Sequence, residues 1–153
     1  MPNIRANNID IYYEENGPTD GPVILLVMGL GAQMIAWPED MIQGLVAQGF
    51  RVIHYDNRDV GLSQRMDGAP APNLIWTMVK ARVGLPTWAA YTLTDMMQDG
   101  IALLDALGIA KAHIAGASMG GMIVQLMAAH HPDRILTMTS IMSTSGRAGL
   151  PGP

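Results

Sequence analysis

A serine flanked by glycines is the feature of the sequence with the clearest chemical potential. Ser118 stands in the pentapeptide Gly116-Ala117-Ser118-Met119-Gly120, which has the Gly-x-Ser-x-Gly spacing of a nucleophile elbow. Small residues are needed on both sides because the sharp turn strains the serine backbone and leaves no room for side chains. In the alternative interpretation, a glycine-rich turn holds a serine that only caps the next helix. We favour the nucleophile because a strand is predicted before Ser118 and a helix after it.

A second glycine-rich turn follows the apolar run VILLVM at 23–28. Such a run is typical of a strand buried on both faces of a parallel sheet, and ligands bind outside the carboxyl ends of such strands. We expect the N–H of Leu30 in this turn and the N–H of Met119 at the start of the helix to form an oxyanion hole. The glycines predicted to support this site are Gly29, Gly116 and Gly120.

The same turn could be interpreted as a dinucleotide-binding loop, because GLGAQM at 29–34 begins with Gly-x-Gly. Met34 occupies the position where the third glycine of that fingerprint belongs. No suitably placed acidic residue follows about 20 positions later. We therefore reject a dinucleotide site and predict no cofactor.

Short apolar strands alternate with amphipathic helices along the chain. This order predicts an α/β fold with a mostly parallel, doubly wound sheet that has helices on both faces. The predicted strands are 3–6, 9–15, 23–28, 51–56, 111–116 and 135–143, and the predicted helices are about 38–48, 94–107 with Thr94 as N-cap, and 119–130. The stretch 67–92 fits this alternation least, and its apolar residues are expected either to pack on the body or to form a short helix over a pocket.

Composition narrows the possible functions. The 153 residues are 49% hydrophobic and 14% charged, which is typical of one globular domain with a substantial core. The net charge of −4 and the lack of a basic run argue against a nucleic-acid partner. Cysteine is absent, which excludes disulfides and thiolate metal sites, and no metal site is predicted. No apolar run is long enough for a signal core or a membrane span, so we expect a cytoplasmic protein.

Four stretches together resemble the α/β-hydrolase fold family, and in particular its cofactor-independent carboxylic ester hydrolases. They are VILLVMGLG, YDNRDVGLS (55–63), HIAGASMGGM and HHPDRILTMTSIMS, in the order that the family shows. The nearest resemblance is to the aclacinomycin methylesterase-like branch, which also has Met-Gly where most relatives have His-Gly. The resemblance implies that Ser118 attacks small or medium carboxylic esters. It also implies that Asp56, Arg58 and Gly61 hold a structural turn.

The partners that a serine nucleophile needs are missing near Ser118. A base must take its proton and an acid must orient that base. The acid and histidines that follow it, Asp133, His130 and His131, stand at the end of the helix that begins beside the serine. At 1.5 Å per residue, His130 lies roughly 18 Å away. His54 and His113 precede the serine in strands, and we interpret both as structural.

The resemblance explains this gap. Residues 1–153 match the amino-terminal part of a single α/β-hydrolase core domain, and the lid and the last strands, which carry the acid and the histidine, are expected beyond them. The strand at 135–143 would then be an exposed, apolar sheet edge. We therefore expect a complementary carboxyl-terminal half or self-association. The alternative is a non-catalytic binding or interaction module built on half of the fold.

Overall fold

A six-stranded sheet with helices on both faces makes up the fold. The computed structural model describes residues 3–67 and 89–146. Its strands are β1 (Asn3–Ala6), β2 (Ile9–Asn16), β3 (Val23–Val27), β4 (Arg51–Tyr55), β5 (Ala112–Ala117) and β6 (Ile135–Ile141), and its helices are α1 (Glu39–Ala47), α2 (Leu93–Ala106) and α3 (Met119–His130). Short 3₁₀ turns span Met34–Ala36 and Pro132–Arg134.

The strands lie in the order β1-β2-β4-β3-β5-β6. The four strands from β4 to β6 are parallel, while β1 and β2 form an antiparallel hairpin at the other edge. Val27 of β3 pairs with Gly116 of β5, so both strands end side by side. The prediction of a mostly parallel α/β sheet is confirmed. Because β3 and β5 are parallel and end side by side, the turns that follow these two strands lie next to each other.

Alternate residues of β3 point to opposite faces, as the pleat requires. Leu25 and Val27 belong to the larger apolar cluster, which includes residues of α2 and α3. Ile24 and Leu26 belong to the smaller cluster on the other face, against α1. All five residues of β3 are buried. A strand that is buried on both faces is apolar at every position, and this continuous apolar run is the pattern that predicts β3 from the sequence.

The start of α2 differs from the prediction. Its N-cap is Thr92, and the expectation of Thr94 was wrong. The Thr92 hydroxyl accepts the N–H of Asp95, while the Asp95 carboxylate accepts the N–H of Thr92. This reciprocal capping box satisfies two N–H groups at the helix start, and Thr94 has no acidic residue three positions later with which to form one. Most of the stretch 67–92 lies outside the described residues, as do Leu74, Trp76, Val79 and Trp88.

The last strand forms an open edge of the sheet, as the sequence predicts. Among residues 3–67 and 89–146, β6 pairs with β5 on one side and has no strand on the other. Leu136 and Met138 remain 49% and 42% exposed. Within residues 3–67 and 89–146, no helix is both long and apolar enough to cross a bilayer.

A buried ion pair ties the loop after β4 to α2. Arg58 donates two hydrogen bonds to the Asp99 carboxylate, with N···O distances of 2.7 and 2.6 Å, and both side chains are buried. Asn7 donates a third bond of 2.7 Å to the same carboxylate. These bonds to Asp99 raise the pKa of Arg58 above its ordinary value. The Tyr91 ring lies against the guanidinium, with 5.2 Å from its centroid to Cζ. The role predicted for Arg58 was to hold the turn, and these contacts give it the means to do so.

We predict that Asp99→Ala lowers the free energy of unfolding by about 3–5 kcal/mol, because it leaves the Arg58 guanidinium buried without its anion. Urea unfolding followed by circular dichroism would measure the change. The matched control is Asp10→Ala, which removes an exposed ion pair with Arg5 and should change stability by at most about 1 kcal/mol. Equal losses in the two variants would contradict the prediction.

Candidate active site

Ser118 occupies a sharp turn between β5 and α3. Its backbone angles are φ 54° and ψ −120°, a positive-φ conformation that costs a non-glycine residue free energy. The strand and the helix predicted on either side of it are both present. The serine is exposed, and its side chain makes no capping hydrogen bond to α3. The alternative of an ordinary helix-capping serine therefore has no support in the geometry.

The glycines of the elbow allow backbones to approach each other closely. A Cβ on Gly120 would collide with the carbonyl oxygen of Val27 at the end of β3, and one on Gly116 would collide with the carbonyl oxygen of Gly120. The first turn of α3 therefore rests directly on the ends of two parallel strands. This contact brings the helix N-terminus, with its unpaired N–H groups, to the same sheet edge as Ser118.

The turn after β3 lies against the serine. A methyl group on Gly29 would be 3.1 Å from Ser118 Cβ and 3.5 Å from Ser118 Oγ. The next residue, Leu30, is 78% exposed. Within the described residues, neither the N–H of Leu30 nor that of Met119 donates to a backbone or side-chain acceptor. Each of the two turns thus has, next to Ser118 or to the Gly29 that lies against it, a residue whose N–H has no acceptor among the described residues.

Two consecutive side chains of the loop after β4 contact the turn after β3. The Asp56 carboxylate accepts the N–H of Met34 at 2.8 Å and the N–H of Leu62 at 2.9 Å. The Asn57 amide donates to the carbonyl oxygen of Met28 at 2.9 Å. Sequence reasoning assigned a structural role to Asp56 but missed Asn57. A signal was present, since two polar residues follow a strand whose neighbour ends in the glycine-rich turn.

The role predicted for Gly61 also has a visible cause. Its φ is +54°, and a Cβ at this position would collide with the Asp56 carboxylate. Glycine therefore lets the loop close tightly around the carboxylate that holds Met34.

A cavity of about 450 Å³ opens beside Ser118. Its described lining consists of apolar side chains and backbone apart from the serine itself. It comprises Met28, Gly29, Leu30, Ala32, Ala36, Trp37, Pro38, Ala117, Ser118, Ile141 and Met142. No His, Asp or Glu is present in this described lining, so the cavity supplies space for an uncharged group but no base for the serine.

The four histidines lie elsewhere. His130 is the last residue of α3, and His131 follows it. His113 packs edge-to-face on Phe50 and bonds Thr137 at 2.8 Å, near the start of β5 and thus at the opposite end of that strand from Ser118. His54 is buried in β4, and burial lowers its pKa, while Glu14 opposes the shift. The interpretation of His54 and His113 as structural residues remains a prediction.

Acidic groups and histidines also do not gather elsewhere in the described part of the chain. No three His, Cys, Asp or Glu side chains among residues 3–67 and 89–146 come together in a way that could hold a metal ion.

The chain belongs to the α/β-hydrolase fold family. A family profile described as "alpha/beta hydrolase fold" matches residues 22–150, which include both turns and the elbow. The family resemblance seen in the sequence is therefore confirmed.

Individual relatives are similar over nearly the whole chain. Rhodomycin D methylesterase DauP from Streptomyces sp. (strain C5) is 33% identical over 140 residues, which are 91% of this chain and 41% of the relative. The crystal structure of the enol-lactonase from Burkholderia xenovorans LB400 superposes with a TM-score of 0.75 at 28% identity, covering 94% of this chain and 47% of that one. The crystal structure of Epoxide Hydrolase A from Mycobacterium thermoresistibile superposes with a TM-score of 0.70 at 26% identity, covering 90% of this chain and 37% of that one. The chain thus spans less than half the length of these relatives.

We predict that Gly120→Ala destabilises the protein by about 1–3 kcal/mol, because the new methyl group must displace the backbone of β3. Gly44→Ala is the matched control, since Gly44 lies in α1 with nothing within 4 Å of a Cβ. That substitution should stabilise the protein by about 0.5–1 kcal/mol. Thermal unfolding would measure both changes, and a Gly120 variant as stable as the parent would show that the close contact is not real.

Proposed function

We propose that the protein is a serine-dependent hydrolase of carboxylic esters, with Ser118 as the nucleophile. The observation that carries this proposal is an uncapped serine in a positive-φ turn between β5 and α3, with the turn after β3 lying against it at Gly29. An elbow serine that only terminated a strand would not need the turn after β3 to lie against it.

The reaction follows from this geometry. Ser118 Oγ attacks the ester carbonyl carbon while a base takes the hydroxyl proton. The carbonyl oxygen becomes an oxyanion that accepts hydrogen bonds from Leu30 and Met119. When the tetrahedral intermediate collapses, the C–O bond to the alcohol breaks and the alcohol leaves with that proton. Water then attacks the acyl-serine in the same way and releases the carboxylic acid.

The base and its orienting acid are proposed to come from polypeptide beyond residue 153. The described histidines and the cavity lining supply neither near Ser118. Relatives of about twice this length have the additional polypeptide in which such groups could reside. On this proposal, the 153-residue chain taken alone is inactive.

The substrate is proposed to be a small or medium ester without charge near the reacting carbonyl. A carboxylate or ammonium group would lose its hydration in the apolar cavity and find no counterion among the described lining residues. One relative is called a methylesterase and another an enol-lactonase. A lactone is a cyclic ester, so both names fit this class of substrate.

We predict that the complete protein encoded by the gene hydrolyses a short-chain p-nitrophenyl ester and that Ser118→Ala abolishes the turnover. A loss on the order of 10⁴-fold or more is expected, since losses of that size follow removal of a triad nucleophile. Intact mass and circular dichroism should be checked for both proteins. Turnover that survives in the Ser118→Ala variant would contradict the proposed nucleophile.

The alternative is a non-catalytic binding or interaction module. The lack of a base in the described cavity lining favours it for the isolated chain. A serine-directed phosphonate separates the two possibilities in the complete protein. Covalent labelling of Ser118 indicates an enzyme site, whereas reversible binding without labelling indicates a binding module.

We also propose that the β6 edge is covered in the working protein by a complementary carboxyl-terminal half, and that the isolated chain otherwise self-associates there. In the described part of the chain, this edge has no further strand to pair its backbone hydrogen-bonding groups, and apolar side chains are exposed beside it. A cavity of about 340 Å³ adjoins it, lined mainly by apolar residues of α1, β3, β5 and β6. An open edge and an uncovered apolar surface on one side of the sheet favour association with more polypeptide.

We predict that the isolated chain forms oligomers in sedimentation experiments and that Met138→Lys weakens this association, because a charge on an edge strand opposes strand pairing. Leu62→Lys is the control, since Leu62 is 62% exposed but lies in the loop after β4. It should leave the oligomers unchanged. A folded chain that stays monomeric at high concentration would contradict the proposal.

A further inference from the structure

We propose that Asn57 is a positioning residue for the oxyanion hole, which it serves by fixing the turn that carries the Leu30 N–H. The inference rests on the proposed function, because an oxyanion hole has meaning only if Ser118 forms a tetrahedral intermediate. Asn57 does not line the cavity beside the serine among the described residues. Its effect is therefore exerted through the backbone of the turn.

The hydrogen bond from Asn57 to Met28 is placed where it can control this turn. Asn57 is 2% exposed, and its Nδ2 donates to the Met28 carbonyl oxygen at 2.9 Å. Met28 is the last residue before Gly29, which contacts the serine. The Asn57 backbone is itself held, because its carbonyl oxygen accepts the N–H of Val60 at 3.0 Å. A buried donor on a fixed loop thus holds the start of the turn.

The far end of the turn is held by the preceding side chain. Asp56 accepts the N–H of Met34 at 2.8 Å. Between these two anchors, the one described backbone bond within the turn is that from Ala32 N–H to the Gly29 carbonyl oxygen, at 3.3 Å, and the Gln33 carbonyl oxygen accepts the N–H of Ala36 at 3.0 Å. Asp56 and Asn57, which are adjacent in the loop after β4, therefore restrain the two ends of the turn after β3. That turn has few backbone hydrogen bonds of its own.

Restraint of this kind matters because oxyanion stabilisation depends on preorganised donors. The N–H must lie about 2.7–3.1 Å from the developing oxyanion, and a displacement of about 1 Å can reduce a rate on the order of 100-fold. Met119 is fixed by the packing of α3 on β3. Leu30 is exposed and depends on its turn. The two donors are thus held by different means, and Asn57 acts on only one of them.

The contact with the Met28 carbonyl oxygen requires a hydrogen-bond donor at position 57, and the asparagine amide supplies one. A carboxylate of the same shape would set an anionic oxygen against the Met28 carbonyl oxygen, because an ionised acid can only accept hydrogen bonds. Asn57→Asp therefore reverses the contact at almost constant volume. Asn57→Ala removes it and leaves the Met28 carbonyl oxygen without this donor. A control is Asn7→Ala, which removes a part-buried amide bond to Asp99 of α2 and affects stability without touching the turn.

The experiment measures two properties of the complete protein and of these three variants. Amide hydrogen exchange reports the mobility of the turn at Ala32, whose N–H bonds Gly29. Steady-state hydrolysis of a p-nitrophenyl ester reports kcat and KM separately. For Asn57→Asp and Asn57→Ala we expect faster exchange at Ala32 and a kcat reduced about 10- to 100-fold, with KM nearly unchanged. For Asn7→Ala we expect lower stability but parental kcat and exchange at Ala32.

The possible failures are distinguishable. If the folded Asn57 variants retain parental kcat, or if KM alone rises, Asn57 does not position the oxyanion donor. If Asn7→Ala lowers kcat as much as they do, the effect is general destabilisation and the inference is overturned. If the parent shows no turnover that depends on Ser118, the proposed function fails instead. Exchange at Ala32 then still decides whether Asn57 holds the turn.

Discussion

The backbone of α3 meets the end of β3 at Gly120, where a Cβ would collide with the Val27 carbonyl oxygen. This contact sets the position of the helix N-terminus relative to the sheet edge. Ser118 precedes that N-terminus in a positive-φ conformation, which persists only when surrounding structure holds it. The packing of α3 on the sheet supplies that support, because Ile123, Val124 and Met127 are fully buried in the larger core cluster. The packing of α3 in the apolar core thus holds Ser118 in a strained turn at the surface of the protein.

The parallel pairing of β3 with β5 brings the turn after β3 to the same end of the sheet as Ser118. Since β3 and β5 run in the same direction and in register, the turns that follow them emerge together. One turn carries the serine, and the other lies against it at Gly29, the residue before Leu30. Relatives that share this framework include proteins named as a methylesterase, an enol-lactonase and an epoxide hydrolase. The framework therefore places groups at one edge, while the residues at that edge and the polypeptide that covers it decide the chemistry.

Much of this arrangement was predictable from sequence because it rests on short-range patterns. The apolar run of β3, the glycines around Ser118 and the helical spacing after it each report local structure directly. The N-cap of α2 was misplaced by two residues, because both Thr92 and Thr94 precede the apolar periodicity; the sequence signal that separates them is Asp95, three positions after Thr92, which completes the capping box. Asn57 was missed for a different reason. Its partner, Met28, lies 29 positions earlier in the chain, so the pair of polar residues after β4 marks the loop as noteworthy, but only the fold shows that the Asn57 amide reaches the Met28 carbonyl oxygen.

The measurement that tests the proposed site most directly is a crystal structure of the complete protein after reaction with a small neutral alkylphosphonate, which mimics the tetrahedral intermediate. We predict a phosphorus–oxygen bond to Ser118 Oγ, with one phosphoryl oxygen about 2.7–3.1 Å from the backbone nitrogens of both Leu30 and Met119. An adduct on another residue, or a phosphoryl oxygen on Ser118 that approaches neither nitrogen, would contradict it.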